Sequence, residues 1–268
     1  MIHAWWDEAA DGPANMAADE LLAAESLRRS TVLVRLYGWS PTTVSLGAFQ
    51  RFDEACGVAE ISGAPIVRRP SGGGAIVHGS DLTYAAAVPK THPWGATPQL
   101  LYDAFHDAMA EALRELGIAA TPWRPSEGIS ADPVRGGGEE PFFCFDRRSS
   151  GDLVMLLDDP SYAGRGRKIM GSAQRRLEGV VLQHGSLLVQ GNAGVTGRAR
   201  HPGVAELSAP AAFEAARARP LVRRWLEIVA AGLGGGVIEE AGGFLPSFAG
   251  EVGEKSSRFR DERWTRRR

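Results

Sequence analysis

The chain contains 268 residues, of which 44% are hydrophobic and 23% are charged, and its formal net charge is −2. This length allows one large domain or two small ones, and the composition is typical of a globular protein with a sizeable buried core. The sequence has no apolar run approaching the roughly 20 residues that a transmembrane helix requires. Because the overall charge is not basic, we expect neither a nucleic acid nor a membrane as a partner.

The N-terminal residues include Trp5, Asp7 and Glu8 instead of a basic stretch followed by an apolar core. This is not the pattern of a secretory signal, so we expect a cytoplasmic protein. The two cysteines, Cys56 and Cys144, are too few for a disulfide framework or for a zinc site built from cysteines alone. Each cysteine is therefore considered singly.

Hydrophobic periodicity and turn residues predict helices and strands along most of the chain. In chain order, these elements are a helix over 15–28, strands over 32–36, 43–46, 65–68, 75–77 and 82–88, a helix over 99–116, strands over 142–145, 152–156, 168–171 and 180–189, and a helix over 220–233. Glycine, proline and acidic residues predict a mobile loop over 125–141. Most connections between strands are shorter than the roughly dozen residues of a parallel crossover. The predicted fold class is therefore α+β, with a mixed, largely antiparallel sheet flanked by helices.

The chain shows no internal repeat and no linker of distinctive composition before its arginine-rich end. The economical interpretation is a single domain over 1–250 with a C-terminal helical extension. Residues 251–268 are rich in charged side chains, so we predict a flexible basic tail there.

The first segment that can carry chemistry is a glycine run between two predicted strands. Three consecutive glycines let backbone N–H groups approach a ligand closely, because no Cβ atom stands in the way. Arg68 and Arg69, just before the run, could meet an anion. A plain turn between strands is the alternative. The candidate binding residues of this segment are Arg69, Ser71, Gly72, Gly73, Gly74 and His78.

The second segment begins with Lys168 and continues into the small residues Gly171, Ser172 and Ala173. A lysine at a strand end, followed by small residues, can reach into a pocket where the small residues leave space for a ligand. Its charge could neutralise a developing oxyanion or polarise a carbonyl group. The alternative is a surface lysine on an ordinary strand.

The third segment places His184 and Gly185 within an otherwise apolar strand. Polar residues in such a strand indicate either the wall of a site or a buried, hydrogen-bonded turn, because burial of an unpaired polar group is costly. Both a catalytic and a structural role are open for this histidine.

The fourth candidate is Cys144, which follows the predicted loop. Arg147 and Arg148 lie close to it in sequence and would favour the thiolate form. The alternative is a cysteine that serves only as a small core hydrophobe, which is what we expect of Cys56.

Taken in order, these segments resemble the lipoate–protein ligase and octanoyltransferase family, which shares its fold with biotin ligases. The resemblance starts at Asn15-Met16-Ala17-Ala18-Asp19-Glu20 and extends to about Val189. It implies a biotin/lipoate ligase-like catalytic domain. It also implies that the segment from Arg69 to His78 lines the acyl site and that Lys168 contacts the acyl carbonyl group.

Within this family, the chain is most similar to the octanoyltransferase branch that has a cysteine in a Cys-Phe-x motif ahead of the lysine segment. Here that motif is Cys144-Phe145-Asp146. A different octanoyltransferase branch has its cysteine downstream of the His-Gly pair, where this chain has Leu187 and Leu188. Lipoate ligases activate free lipoate with ATP, commonly carry an additional C-terminal domain and need no cysteine.

The resemblance implies an enzyme of lipoate biosynthesis that moves octanoyl from acyl carrier protein to a lysine of lipoyl domains or of glycine cleavage H protein. Cys144 would carry the acyl group as a thioester, Lys168 would assist it, and His78 or His184 would accept a proton. No cofactor is expected. The alternatives are an ATP-dependent lipoate–protein ligase, which would use ATP and magnesium, and a non-catalytic protein that binds acyl groups or lipoyl domains.

Overall fold

The computed structural model describes residues 1–124, 141–155, 166–192, 194–208 and 218–267. Almost all of the loop predicted over 125–141 lies outside these ranges. Eleven strands are described: β1 (Ile2–Trp6), β2 (Val32–Tyr37), β3 (Thr43–Leu46), β4 (Ile66–Arg68), β5 (Ile76–His78), β6 (Asp81–Pro89), β7 (Ala120–Pro122), β8 (Leu153–Met155), β9 (Arg167–Arg176), β10 (Val180–Leu188) and β11 (Val237–Glu239).

The described helices range from single turns to five turns. They are α1 (Gly12–Arg29), α2 (Phe52–Cys56), α3 (Pro93–Ala96), α4 (Pro98–Glu115), α5 (Val204–Leu207), α6 (Ala218–Gly232), α7 (Phe244–Ser247), α8 (Ala249–Arg260) and α9 (Glu262–Thr265). None of these helices combines the length and the hydropathy needed to cross a membrane.

The strands form two sheets. The larger sheet has the order β11-β1-β2-β6-β10-β9-β8-β7, and the smaller has the order β4-β3-β5. In the larger sheet, β1 pairs in parallel with β2 and β11, and the other neighbours are antiparallel. This architecture confirms the predicted α+β fold with a mixed, largely antiparallel sheet flanked by helices.

Helices cover both faces of the larger sheet because each has one apolar stripe. On α4, Leu101, Phe105, Met109 and Leu113 follow a four-residue spacing and are buried in one core with α6. On the opposite face, α1 contributes its buried residues to a second core with β2, β10 and α8. The side chain of Asp11 caps α1 by accepting a hydrogen bond from the Ala14 N–H at 2.8 Å.

Several sequence predictions differ from the structure. The predicted strand over 142–145 is instead a single bridge between Ala75 and Phe143, followed by a 3-10 turn at Cys144–Asp146. Phe143 and Phe145 are both buried, so the apolar run reflects packing and not a sheet position. The predictions omitted β1, β7 and β11.

The predicted flexible tail is also wrong, because the described part of residues 251–268 continues α8 and forms α9. Val252 and Phe259 lie about two helical turns apart on the same face of α8. Both are buried in the core that contains α1. On the outer side, Arg260 pairs with Asp11 at 2.8 Å, and Arg258 pairs with Glu20. Two of the arginines that suggested a solvated tail therefore bind Glu20 of α1 and its N-cap residue Asp11.

Phe259→Ala tests whether this segment is packed. Removal of a buried phenylalanine typically costs about 3–5 kcal/mol, so we expect the free energy of unfolding in urea to fall by about 3 kcal/mol. Lys255→Ala, an exposed position on the same helix, is the matched control and should change it by less than about 0.5 kcal/mol. Equal tolerance of both substitutions would contradict the packed arrangement.

Candidate active site

The sequence-predicted residues converge on a narrow cavity between the two sheets. It is lined by β2, β3, β5, β6, β9 and β10, by Met16 of α1 and by Cys144, and its free volume is about 30 Å³. The predicted candidates on its wall are Arg69, His78, Cys144, Gly171, Ser172, Ala173, His184 and Gly185.

Lys168 is buried beside Cys144. Its Nζ lies 3.7 Å from the Cys144 Sγ, 3.3 Å from the Cys144 carbonyl oxygen and 2.9 Å from Oδ2 of Asp152. Burial acts to lower the pKa of Lys168, but the negative charges of the Cys144 thiolate and Asp152 outweigh it and raise that pKa. The ammonium group is therefore charged at neutral pH, next to the sulfur atom.

The small residue Gly171 makes room for this ammonium group. A Cβ atom at Gly171 would lie 2.4 Å from Cε and 2.6 Å from Nζ of Lys168. Asp152 is held on its other side by Tyr102, whose hydroxyl group donates to Oδ1 at 2.6 Å, and by the Ser149 N–H at 2.6 Å. The sequence interpretation did not include Asp152, because a single aspartate ahead of a strand carries no distinguishing pattern.

The glycine turn forms the wall behind the cysteine. A Cβ atom at Gly74 would lie 2.7 Å from the Cys144 backbone nitrogen, and Gly73 has a φ of 93°. Arg69 closes the turn by donating to the carbonyl oxygens of Gly72 and Gly74, each at 2.7 Å. Burial lowers the pKa of Arg69 to about 10, so the side chain is still charged at neutral pH.

These contacts revise the expectation that both arginines could meet an anion. Arg68 is fully buried and donates to the carbonyl oxygens of Gly47 at 2.8 Å and Gln50 at 2.7 Å. Arg69 also donates to the Ser45 carbonyl oxygen at 2.9 Å. Both guanidinium groups therefore organise backbone around the cavity. That Arg69 also binds substrate stays a prediction.

The imidazole ring of His78 is hydrogen-bonded to a buried carboxylate. Its Nδ1 lies 2.8 Å from Oδ2 of Asp81, its Nε2 lies 2.8 Å from the Ser45 Oγ, and the ring stacks on Trp39 at 4.0 Å between centroids. Burial acts to raise the pKa of Asp81, but the charge of His78 and several hydrogen bonds, one of them from Ser186, hold it at about 2. The imidazole ring is therefore fixed in orientation.

His184 has a second, similar arrangement. Its Nε2 is hydrogen-bonded to the Ser71 hydroxyl group, and its Nδ1 lies 3.2 Å from Oδ2 of Asp19. Asp19 also receives hydrogen bonds from Tyr37 at 2.7 Å and from Arg35 at 3.1 Å. Burial and the charge of Asp19 raise the pKa of Tyr37 well above its usual range. Hydrogen bonds thus connect Ser71 of the glycine segment to His184 of β10, and His184 to Asp19 of α1.

Asp19 itself was missing from the predicted site. Asn15 and Asp19 are one helical turn apart on the buried face of α1. Two polar residues at that spacing in an apolar stripe are a signal that could have been used, because buried polar side chains need partners. The partner in this case is Arg35, which also binds Asp7 and is fully buried.

Ser172 belongs to a polar cluster that joins the cavity to α4. Its hydroxyl oxygen lies 2.7 Å from both the Tyr84 hydroxyl oxygen and the His106 Nε2. Burial lowers the pKa of His106 to about 4, so this imidazole is neutral at pH 7. A Cβ atom at Gly185 would lie 2.3 Å from the Ser172 hydroxyl oxygen, which explains the glycine in that strand.

The charged groups around the cavity bind one another. Within the described ranges, no three His, Cys, Asp or Glu side chains converge in the manner of metal ligands. The carboxylates of Asp19, Asp81 and Asp152 are each engaged by a cation or an imidazole ring. That the reaction uses no cofactor stays a prediction.

The second cysteine differs from expectation. Cys56 was predicted to be a core hydrophobe, but it is exposed at the end of α2. Ala55, its neighbour, is the residue of that helix that is buried. Cys144 is partly exposed and lines the cavity.

On the far side of the glycine turn lies an open groove of about 660 Å³. The predicted candidates Ser71 and Gly72 line this groove. Its other lining residues are Ala48, Phe49, Pro70, Gln174, Arg175, Arg176 and Arg267. Ser71 therefore faces the groove while its hydroxyl group is bonded to a histidine of the inner cavity.

Relatives of this chain are named octanoyltransferases. It is 36% identical over 181 residues to Octanoyltransferase LipM of Geobacillus kaustophilus, a match covering 65% of this chain and 60% of the relative. It is 34% identical over 179 residues to Octanoyltransferase LipM of Bacillus subtilis, with the same coverage of 65% and 60%. The chain thus matches about three-fifths of the length of these curated relatives.

Solved structures with the same fold are lipoate–protein ligases. A bi-partite lipoate protein ligase from Thermoplasma acidophilum superposes with a TM-score of 0.67 at 18% identity, covering 99% of this chain and 95% of that one. A lipoate-protein ligase A bound with ATP gives a TM-score of 0.68 at 18% identity, covering 98% of each chain. At these identities the comparison concerns the fold alone. Residues 11–211 match the family model for the lipoyl protein ligase A/B catalytic domain, and the chain belongs to that family.

Proposed function

We propose that the protein is an octanoyltransferase that moves octanoyl from acyl carrier protein to a lysine of a lipoyl domain or of glycine cleavage H protein. The observation that carries this proposal is the 3.7 Å separation between the Cys144 Sγ and the buried ammonium group of Lys168. A lysine beside a cysteine that borders a cavity is an arrangement suited to nucleophilic catalysis. The names of the relatives support the same activity.

In the first half-reaction the Cys144 thiolate attacks the carbonyl carbon of the donor thioester. A new sulfur–carbon bond forms and the carbonyl oxygen becomes an oxyanion. As the tetrahedral intermediate collapses, the bond between the carbonyl carbon and the carrier sulfur breaks and the carrier leaves as a thiolate. The Lys168 ammonium group stabilises the attacking thiolate and can donate to the oxyanion. Asp152 fixes the position of Lys168 through the 2.9 Å ion pair.

The acyl chain requires an apolar channel. Met16 and Ile76 line the cavity beside the cysteine. A free volume of about 30 Å³ holds little more than one water molecule, so an eight-carbon chain must displace side chains on entry. Met16 is suited to this movement because methionine is unbranched and has several rotatable bonds.

In the second half-reaction the acceptor lysine attacks the thioester of Cys144. The amine forms an amide bond, loses a proton and releases the cysteine thiolate, which Lys168 again stabilises. His78, backed by Asp81, and His184, backed by Asp19, are the candidate proton acceptors.

The covalent step is tested by incubation with octanoyl acyl carrier protein in the absence of ATP. We expect a hydroxylamine-labile octanoyl adduct in the intact mass of the wild-type protein and none in Cys144→Ala. Cys56→Ala is the matched control and should retain the adduct, because Cys56 is exposed on α2 and away from the cavity.

Activation of the free acid by ATP would instead indicate a lipoate–protein ligase. If no adduct forms, but ATP with free octanoate or lipoate gives an acyl-adenylate, the transferase proposal is wrong. If neither donor reacts while lipoyl domains still bind, the protein is a non-catalytic binding protein.

Lys168→Ala should slow single-turnover acylation of Cys144 by about a hundredfold, as when one oxyanion donor is lost. Lys168→Arg should restore part of the rate, since guanidinium and ammonium groups differ in shape. Lys255→Ala is the control, and wild-type kinetics in Lys168→Ala would show that this residue does not act on the cysteine.

A further inference from the structure

The open groove and the inner cavity follow one another along β9. Gly171, Ser172 and Ala173 line the cavity, and the next residues of the strand, from 174 to 176, line the groove. Ser71 lies between them, because it borders the groove and is hydrogen-bonded to His184 of the cavity. The groove and the cavity that contains Cys144 are therefore neighbouring spaces along one strand.

The groove is strongly basic. Arg175, Arg176 and Arg267 line it, and none of the described residues on its wall is acidic. Arg175 is positioned by a hydrogen bond from its Nη1 to the Pro70 carbonyl oxygen at 3.1 Å. The groove therefore favours an anionic ligand, and arginine is well suited to a phosphate because its planar fork donates two parallel hydrogen bonds.

The C-terminal segment supplies one of these arginines. The guanidinium carbon of Arg267 lies 3.5 Å from the ring centroid of Trp264. Trp264 donates from its indole nitrogen to the Arg68 carbonyl oxygen at 3.0 Å, and Arg68 donates from Nε to the Thr265 carbonyl oxygen at 2.9 Å. This reciprocal pair attaches α9 to the strand that leads into the glycine turn.

A ligand that binds in the basic groove and reacts at the cysteine must be long and extended. Arg175 and Gly171 are four residues apart on one face of β9, which corresponds to about 13 Å along the strand. Lys168 Nζ occupies the space beside Gly171, close to the cysteine sulfur. A phosphopantetheine arm has about 13 bonds between phosphorus and sulfur, and an extended chain covers about 3.5 Å per three bonds, giving about 15 Å.

We infer that this groove binds the phosphopantetheine arm of the acyl donor, with the phosphate held by Arg175 and Arg267. Arg176 adds positive charge at the same end of the groove, and the exposed ring of Phe49 offers an apolar contact for the arm. The inference rests on the proposed function, which it extends by assigning a donor site. It gives the C-terminal segment a role in substrate binding.

The test compares two small donors, octanoyl-4′-phosphopantetheine and octanoyl-pantetheine, which differ only in the phosphate group. Single-turnover acylation of Cys144 is followed by intact mass over a range of donor concentrations. We expect the wild-type protein to use the phosphorylated donor with at least about a tenfold higher second-order rate constant, as one charge-assisted contact provides.

The ratio of the two rate constants should fall towards one in Arg267→Ala and in Arg175→Ala. Arg266→Ala is the matched control. Arg266 is exposed and adjacent in sequence, but it pairs with Glu262 at 3.2 Å and does not line the groove. Its substitution should leave the ratio unchanged, and thermal unfolding of each variant verifies that the fold is retained.

Equal rate constants for the two donors in the wild-type protein would overturn the inference while leaving the thioester mechanism in place. A phosphate preference that survives in both Arg175→Ala and Arg267→Ala would also overturn it. Failure of both donors to acylate Cys144, under conditions where ATP and free acid react, would overturn the proposed function and the donor site with it.

Discussion

The buried ion pair between Lys168 and Asp152 is the interaction on which the geometry of the site depends. Both side chains are almost completely removed from water, with exposed fractions of 4% and 1%. Charges in such a position are costly to bury unless they are paired, and removal of one partner typically costs 3–5 kcal/mol. The pair therefore fixes the ammonium group beside Cys144. Gly171 is required at its position because any side chain there would occupy the same space.

The same principle is repeated at the two histidines. Asp81 orients His78, and Asp19 orients His184, while Arg35 balances the charge of Asp19. Each carboxylate comes from a different element, namely β6 for one and α1 for the other. The polar groups are thus fixed before any substrate arrives, which is the condition under which charges stabilise a developing oxyanion at no cost of reorganisation.

The C-terminal helices show how basic residues can be structural. Arg258 and Arg260 pair with Glu20 of α1 and its N-cap residue Asp11, and aromatic residues of these helices pack beneath the strand that carries Arg68. Arg68 in turn holds the backbone near Gly47, where a Cβ atom would lie 2.0 Å from the Gly73 carbonyl oxygen. The chain end, the glycine turn and the wall of the groove are consequently parts of one packed unit.

Part of the site was predictable from the sequence by itself. Glycines at close approaches, a lysine followed by small residues, and a polar pair in an apolar strand are local patterns, and they identified part of the lining of the cavity. The helical stripes of α1 and α4 and the antiparallel sheet were predictable for the same reason, because periodicity is set by local backbone geometry.

The partners of those residues were decided only by the tertiary structure. Asp152 and Lys168 are 16 positions apart, Asp19 and His184 are separated by 165, and Arg68 and Thr265 by 197. No local pattern encodes such pairs, because the energy that forms them comes from burial and desolvation in the folded chain. For that reason the sequence determined which residues could do chemistry, whereas the packing of α8 and α9, the exposure of Cys56 and the counter-charges of Lys168 and Arg35 were determined by the fold.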